Sequence, residues 1–185
     1  MAVMAFDGAE VTINDGEFTT VDNAVIGTNG TAGRGNNTIV INKAVLNGNT
    51  ASAGYEACGI YCANNDKIVV GSDVVMDIKN GCGILMRGGE VTVKKGVKIN
   101  ITTDKEEGFT GWVGDNKTKM TQSGIIYHET ANYPGKAGMK LVVEDGVTIN
   151  AIDHSIEILS NEEVPNTKIG VGHYNPNYPE ILSQD

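Results

Sequence analysis

"GYEACGIYCANN" at residues 54–65 and "NGCGILMRGG" at residues 80–89 write the same tripeptide, Cys-Gly-Ile, at 58–60 and again at 82–84. A segment repeated at an interval of 24 residues is the mark of a chain that builds one structural unit and stacks it on the next. Working outward, five β-branched or aliphatic triplets recur: Val11-Thr12-Ile13, Ile39-Val40-Ile41, Ile68-Val69-Val70, Val91-Thr92-Val93 and Leu141-Val142-Val143. A short turn follows each, written "NDG", "NKA", "GSD", "KKG" and "EDG". After the turn comes a second strand, clearest in "VVMDI" (74–78), "VKINI" (97–101) and "VTINAI" (147–152). A third closes the unit: "NAVIG" (23–27), "CGIYC" (58–62), "CGILM" (82–86), "SGIIY" (123–127) and "HSIEIL" (154–159). Successive first strands are 28, 29, 23 and 50 residues apart, which a unit of about 23 residues with insertions accounts for.

Three short strands per unit predict an all-β fold: a right-handed parallel β-helix, a solenoid of about five coils. Residues 1–159 are assigned to the helix and 160–185 to a C-terminal cap or tail, because Pro165, Pro176 and Pro179 oppose further strands. The open end of a solenoid is a bare sheet edge, so the tail is expected either to fold over it or to continue into a partner. "MAVMAF" reads as an added start, and the chain as a piece of a longer protein.

Strand alternation places Cys58, Ile60 and Cys62 on one inward face, with Cys82, Ile84 and Met86 equivalent to them one coil on. Val25, Ile125 and Ile156 are expected to extend the Ile60–Ile84 stack, with Cys58 above Cys82 in a second. The thiols are read as small core hydrophobes. The competing readings are a disulfide and a metal site on the Cys-x3-Cys spacing of Cys58 and Cys62. His128, His154 and His173 supply no matching ligand pattern, so no metal is assigned.

The net charge is −9 and the only arginines are Arg34 and Arg87, a poor endowment for phosphate contacts, so no nucleic-acid partner is expected. The one basic run, "VKKGVK" at 93–98, reads as a solvated strand and turn. No apolar stretch is long enough to cross a bilayer as a helix, and no membrane association is expected.

Function is sought where the repeat is interrupted. Insertions at 47–57 and 102–122 fall between second and third strands. Those at 27–37 and 128–139 fall between a third strand and the next first strand. Each pair is expected to project from one edge of the rod. The candidate binding residues are Tyr55, Phe109, Trp112, Asp115, Asn116 and Tyr133, since aromatic rings beside Asn and Asp suit sugar stacking or a protein contact. The bland alternative is that Phe109 and Trp112 pack their loop onto the rod.

No catalytic residue or cofactor is assigned. Asp66, Asp73 and Asp77 lie on a turn and strands that point in different directions. Arg87 follows the third strand and could stand beside Lys94 or Lys95. Asp153-His154-Ser155 has triad residue types, but neighbours along a strand face opposite ways. His128-Glu129 opens a loop without identifiable partners. A polysaccharide-processing enzyme, or an inactive relative of one, is the alternative reading.

"SAGYEACGIYCANN" (52–65), "GCGILMRGGEVTV" (81–93), "TGWVGDNKT" (110–118) and "ANYPG" (131–135) resemble β-helical domains of bacteriophage structural proteins of the head-fibre or capsid-decoration type, over roughly residues 10–160. The resemblance implies a non-enzymatic protein at the virion surface, assembled in the host cytoplasm. Its implied partners are another capsid or virion protein, a host surface glycan or mucus, and further copies of itself, a trimer among them. Such proteins commonly carry an N-terminal capsid-attachment region, which this sequence does not display.

Overall fold

The computed structural model describes residues 1–29, 33–52, 57–104, 122–129 and 138–160. They form an all-β structure of two parallel sheets. The six-stranded sheet runs in the order β1 (Val3–Ala5), β4 (Ala24–Thr28), β6 (Cys58–Cys62), β8 (Cys82–Met86), β11 (Ile125–Glu129) and β14 (Ile156–Ser160). The eight-stranded sheet holds β2 (Glu10–Ile13), β3 (Glu17–Val21), β5 (Thr38–Asn49), β7 (Lys67–Lys79), β9 (Glu90–Val93), β10 (Lys98–Thr102), β12 (Lys140–Val143) and β13 (Thr148–Asn150). Each strand pairs in parallel with its counterpart one repeat on.

All five first strands lie where their triplets predict, but two of the expected turns are absent. The "NDG", "KKG" and "EDG" turns end on glycine, and Gly96 and Gly146 take φ of 95° and 85° there, a region that glycine enters without a Cβ penalty. "NKA" and "GSD" offer no such glycine at their third position. The chain therefore stays extended, and first and second strands merge into β5 and β7. The mismatch is absorbed by a bulge, because Asn42 alone faces both Gly71 and Ser72 between the pairs Ile41–Val70 and Lys43–Asp73. A Cβ on Gly71 would lie 2.6 Å from the Ile41 carbonyl oxygen.

The Cys-Gly-Ile strands sit in register, Cys58 with Cys82 and Ile60 with Ile84, and the isoleucine row continues through Ile125 to Ile156. Two expectations need correction. Ile26, not Val25, pairs with Ile60. Nor does Cys58 share a face with Ile60 and Cys62: those two belong to the main core, whereas Cys58 and Cys82 pack with Tyr61, Leu85 and Ile126 in a second cluster.

The cause of both is a break in alternation at the glycine. A Cβ on Gly59 would point into the main core, 2.9 Å from Met76 Sδ. On Gly83 it would lie 2.4 Å from Ile99 Cγ2, and on Gly124 2.2 Å from Ile149 Cγ2. The side chain of the following second strand fills the space that a third-strand side chain would need. Glycine in the tripeptide is thus a packing requirement. Val25 stands in this glycine row, and the neighbouring Ile26 occupies the isoleucine row. All three cysteines are buried, and none is in a disulfide.

Strand β1 was not anticipated. "VMA" is too short to show a period, yet it pairs with β4, Val3 against Ile26. Residues 161–185, where a cap is expected, lie outside the described residues.

Candidate functional site

Both pairs of insertions leave the sheets at aligned corners, and each corner is held by side-chain amides and carboxylates. At the corner after the second strands, backbone bonds run from Asp22 N to Asn49 O, from Thr50 N to Lys79 O and from Asn80 N to Thr102 O, so these positions form one row. The Asp22 carboxylate accepts from Ala51 N at 2.7 Å and Ser52 N at 3.0 Å, fixing the start of the first insertion. Thr50 Oγ1 accepts from Ala57 N at 2.8 Å, tying the two ends of that insertion together.

Asn80, buried and at φ 57°, lies between the two insertions on this row. Its amide donates to Asp104 Oδ1 at 2.9 Å and, more weakly, to Thr50 O at 3.3 Å. Its carbonyl oxygen accepts from Thr103 Oγ1 at 2.9 Å and Asp104 N at 3.1 Å. One side chain therefore links Thr103 and Asp104, at the start of the second insertion, to Thr50, the first residue after β5. At the far end of that insertion, Gln122 N donates to Asp153 Oδ2 and Ser123 Oγ to Glu157 Oε2.

The corner before the first strands is built likewise, through Thr38 N to Ala9 O, Lys67 N to Asn37 O and Glu90 N to Asp66 O. Asp66 Oδ1 accepts from both the backbone N and the side-chain amide of Asn37, at 2.9 and 2.8 Å. Its Oδ2 is buried with no hydrogen-bond partner. Burial pushes the Asp66 carboxyl above the usual carboxylate value, against the opposing pull of Thr28 and Asn37. Burial also pushes the Cys62 thiol well up, with the Asp66 charge adding to it, so Cys62 is held as an unreactive thiol. Arg34 pairs with Asp7 at the mouth of the 27–37 insertion, its guanidinium 6.0 Å from the Phe6 ring centroid.

The six candidate binding residues, Tyr55, Phe109, Trp112, Asp115, Asn116 and Tyr133, all lie outside the described residues, whereas the anchors of their loops lie within them. The other candidates fall apart in space. Asp66 is buried at a corner, Asp77 accepts from Asn100 on an exposed face, and Asp73 is exposed beside Lys43. Arg87 is buried, and Lys94 donates to Glu144 at 2.7 Å. Residues 153–155 precede β14 rather than lying in it, and the Asp153 carboxylate is engaged by Gln122 N. His128 and Glu129 lie in strand β11, paired with Leu159 and Ser160, not in a loop.

The corner residues Asp22, Asn37, Asn80 and Asp104 were not singled out from the sequence. Their signal was present as an Asn or Asp recurring just beyond a strand, which reads equally well as a turn. No family model, curated protein or solved structure matches the chain.

Proposed function

We propose that this chain is a right-handed parallel β-helix acting as a rigid, non-enzymatic display rod at a bacteriophage surface, of the head-fibre or decoration type. Its corner loops contact a host glycan, mucus or another virion protein. The supporting observation is the corner row centred on Asn80, which fastens the ends of two insertions to consecutive repeats. A rigid seat beneath long loops is what a recognition surface needs, since a loop held at its base loses less freedom on binding. The aromatic residues Tyr55 and Trp112 belong to those two insertions and would supply stacking area.

The test replaces 105–121 with a short Gly-Asn turn and keeps Thr103, Asp104 and Gln122, which hold the corner. Loop closure depends only weakly on length, so the shortened protein should melt within a few degrees of the parent. Its binding to host cells and to a glycan array should fall. Equal binding by a well-folded shortened protein would move recognition elsewhere, to the 27–37 corner first. Release of oligosaccharide from a bound polymer would favour the enzymatic alternative.

A further inference from the structure

Asn80-Gly81 is one of three Asn-Gly dipeptides in the chain, with Asn29-Gly30 and Asn47-Gly48. Such a dipeptide is chemically labile, because glycine leaves its own nitrogen unshielded beside the asparagine amide. At this corner the fold requires both residues. Among the described residues, Asn80 is the only left-handed asparagine followed by glycine, at φ 57°, and asparagine is one of the few side chains that enter this region readily. A Cβ on Gly81 would lie 2.1 Å from the Ala57 carbonyl oxygen, so only glycine fits there. The reactive dipeptide thus sits where Asn80 fastens Thr50, Thr103 and Asp104 together. Asn80 is 1% exposed, and both the nitrogen and the oxygen of its amide head are hydrogen-bonded.

We propose that Asn80 is a spontaneous deamidation site, shielded while this corner is closed and irreversibly changed once it converts. In the reaction the Gly81 nitrogen gives its proton to a solvent base and bonds to Asn80 Cγ. The Cγ–Nδ2 bond breaks, and that nitrogen leaves as ammonia. Water then adds across one C–N bond of the five-membered imide, giving aspartate or isoaspartate. Both steps need solvent at the amide head and a side chain free to turn. Both are blocked while Asp104, Thr50 and Thr103 hold it. Conversion removes the donor that Nδ2 supplies to Asp104 Oδ1 at 2.9 Å and leaves a second carboxylate facing the first. Lys79 Nζ, half-exposed, lies 2.6 Å from Asp104 Oδ2 and is already committed to that carboxylate. The like charges oppose each other, so the product does not restore the tie between Thr50 and Asp104. The corner therefore turns a transient opening into a permanent loosening of the residues that lead into 105–121. This goes beyond the display function and does not depend on it.

The test ages the full chain in mildly alkaline buffer, folded and in urea. Trypsin, cutting after Lys79 and Arg87, isolates residues 80–87, in which Asn80 is the only amide side chain. Mass spectrometry of that peptide should show slow conversion of amide to acid in the folded parent and rapid conversion in urea. Asp104→Ala removes the acceptor of the 2.9 Å bond. It should speed conversion in the folded protein about tenfold or more, because losing a hydrogen bond to a charged group favours opening to that extent. Asn47-Gly48, within β5 and bonded to Glu17, is the internal reference. Its rate should not change, which separates local opening from global unfolding. Asn80→Asp carries the side chain of the product. The Asp104 charge raises the pKa of the new carboxyl, so the variant should melt close to the parent at about pH 4 and increasingly below it as the pH rises. The proposal is overturned if Asn80 converts as fast folded as in urea or fails to convert in urea. It is overturned equally if Asp104→Ala leaves the rate unchanged or speeds Asn47 as much, or if Asn80→Asp melts with the parent at every pH.

Discussion

The two sheets solve the same stacking problem in different ways. In the eight-stranded sheet, side chains alternate between core and solvent, as β7 shows with Ile68, Val70, Val74, Met76 and Ile78 buried and Lys67, Asp77 and Lys79 exposed. In the six-stranded sheet every residue of β4, β6 and β8 is buried. A sheet with one wet face tolerates change on that face. A sheet covered on both faces has no such latitude, and where the opposing second strand crowds it, only glycine fits.

The sharpest way to break this contrast is to add one methyl group to each sheet. In Gly83→Ala the new Cβ would stand 2.4 Å from the Gly124 carbonyl oxygen and from Ile99 Cγ2, so backbone must move. Overpacking of this kind costs about 3 kcal/mol or more when the obstacle cannot rotate away. In Gly48→Ala, on β5, the nearest atom is Ile78 Cδ1 at 3.0 Å, the movable end of a side chain. That change should cost under about 1 kcal/mol, because the restricted unfolded chain offsets part of the strain. Urea titrations of the two variants compare them directly, and equal losses would show that the glycine row is not the constraint.

This contrast also explains what the sequence disclosed. Alternation in one sheet made its first strands readable as triplets, and the twofold Cys-Gly-Ile made the parallel register of β6 and β8 readable. The same tripeptide misled on facing, because alternation stops at Gly59 and cannot be extrapolated across it to Cys58. The merged strands β5 and β7 were hidden by polar residues that elsewhere write turns; the missing glycine at Ala44 and Asp73 was the available clue. Corner amides such as Asn80 look like any turn residue until the repeats are laid on one another. The aromatic candidates belong to loop sequences, whose positions a repeat pattern does not fix.

A smaller effect tests the corner where the sheets meet. Burial raises the Asp66 carboxyl, so the folded state holds its proton more tightly than the unfolded chain. The stability linked to this group is therefore fully present below the ordinary carboxylate value of 3.8 and is lost as pH rises through the raised value. Asp66→Asn keeps an acceptor toward Asn37 and removes the buried charge. The variant should melt a few degrees above the parent at pH 7, and that advantage should shrink as the pH falls toward 4. Thermal melts of both proteins across that range check it. A gap that does not change with pH would mean that the carboxylate is solvated.

The smallest effect belongs to the wet face of the eight-stranded sheet. There Asn100 Nδ2 donates to Asp77 Oδ1 at 2.8 Å and Asn150 Nδ2 donates to Asn100 Oδ1 at 2.9 Å, along a row that also holds Asn47. Water competes for each of these bonds, so each contributes little beyond the backbone pairing beneath it. Asn100→Ala removes two of them and should cost under about 1 kcal/mol, in the range of a single cross-strand pair. The comparison position is Ile99, next along β10 and buried against the glycine row. Ile99→Ala should cost about 2–5 kcal/mol, because it leaves a cavity between the two sheets. Neighbouring residues on one strand would then differ several-fold in effect, and denaturation midpoints read at a common m-value measure the ratio. A loss at Asn100 as large as that at Ile99 would mean that the polar row, not the crowded interior, fixes the spacing of the repeats.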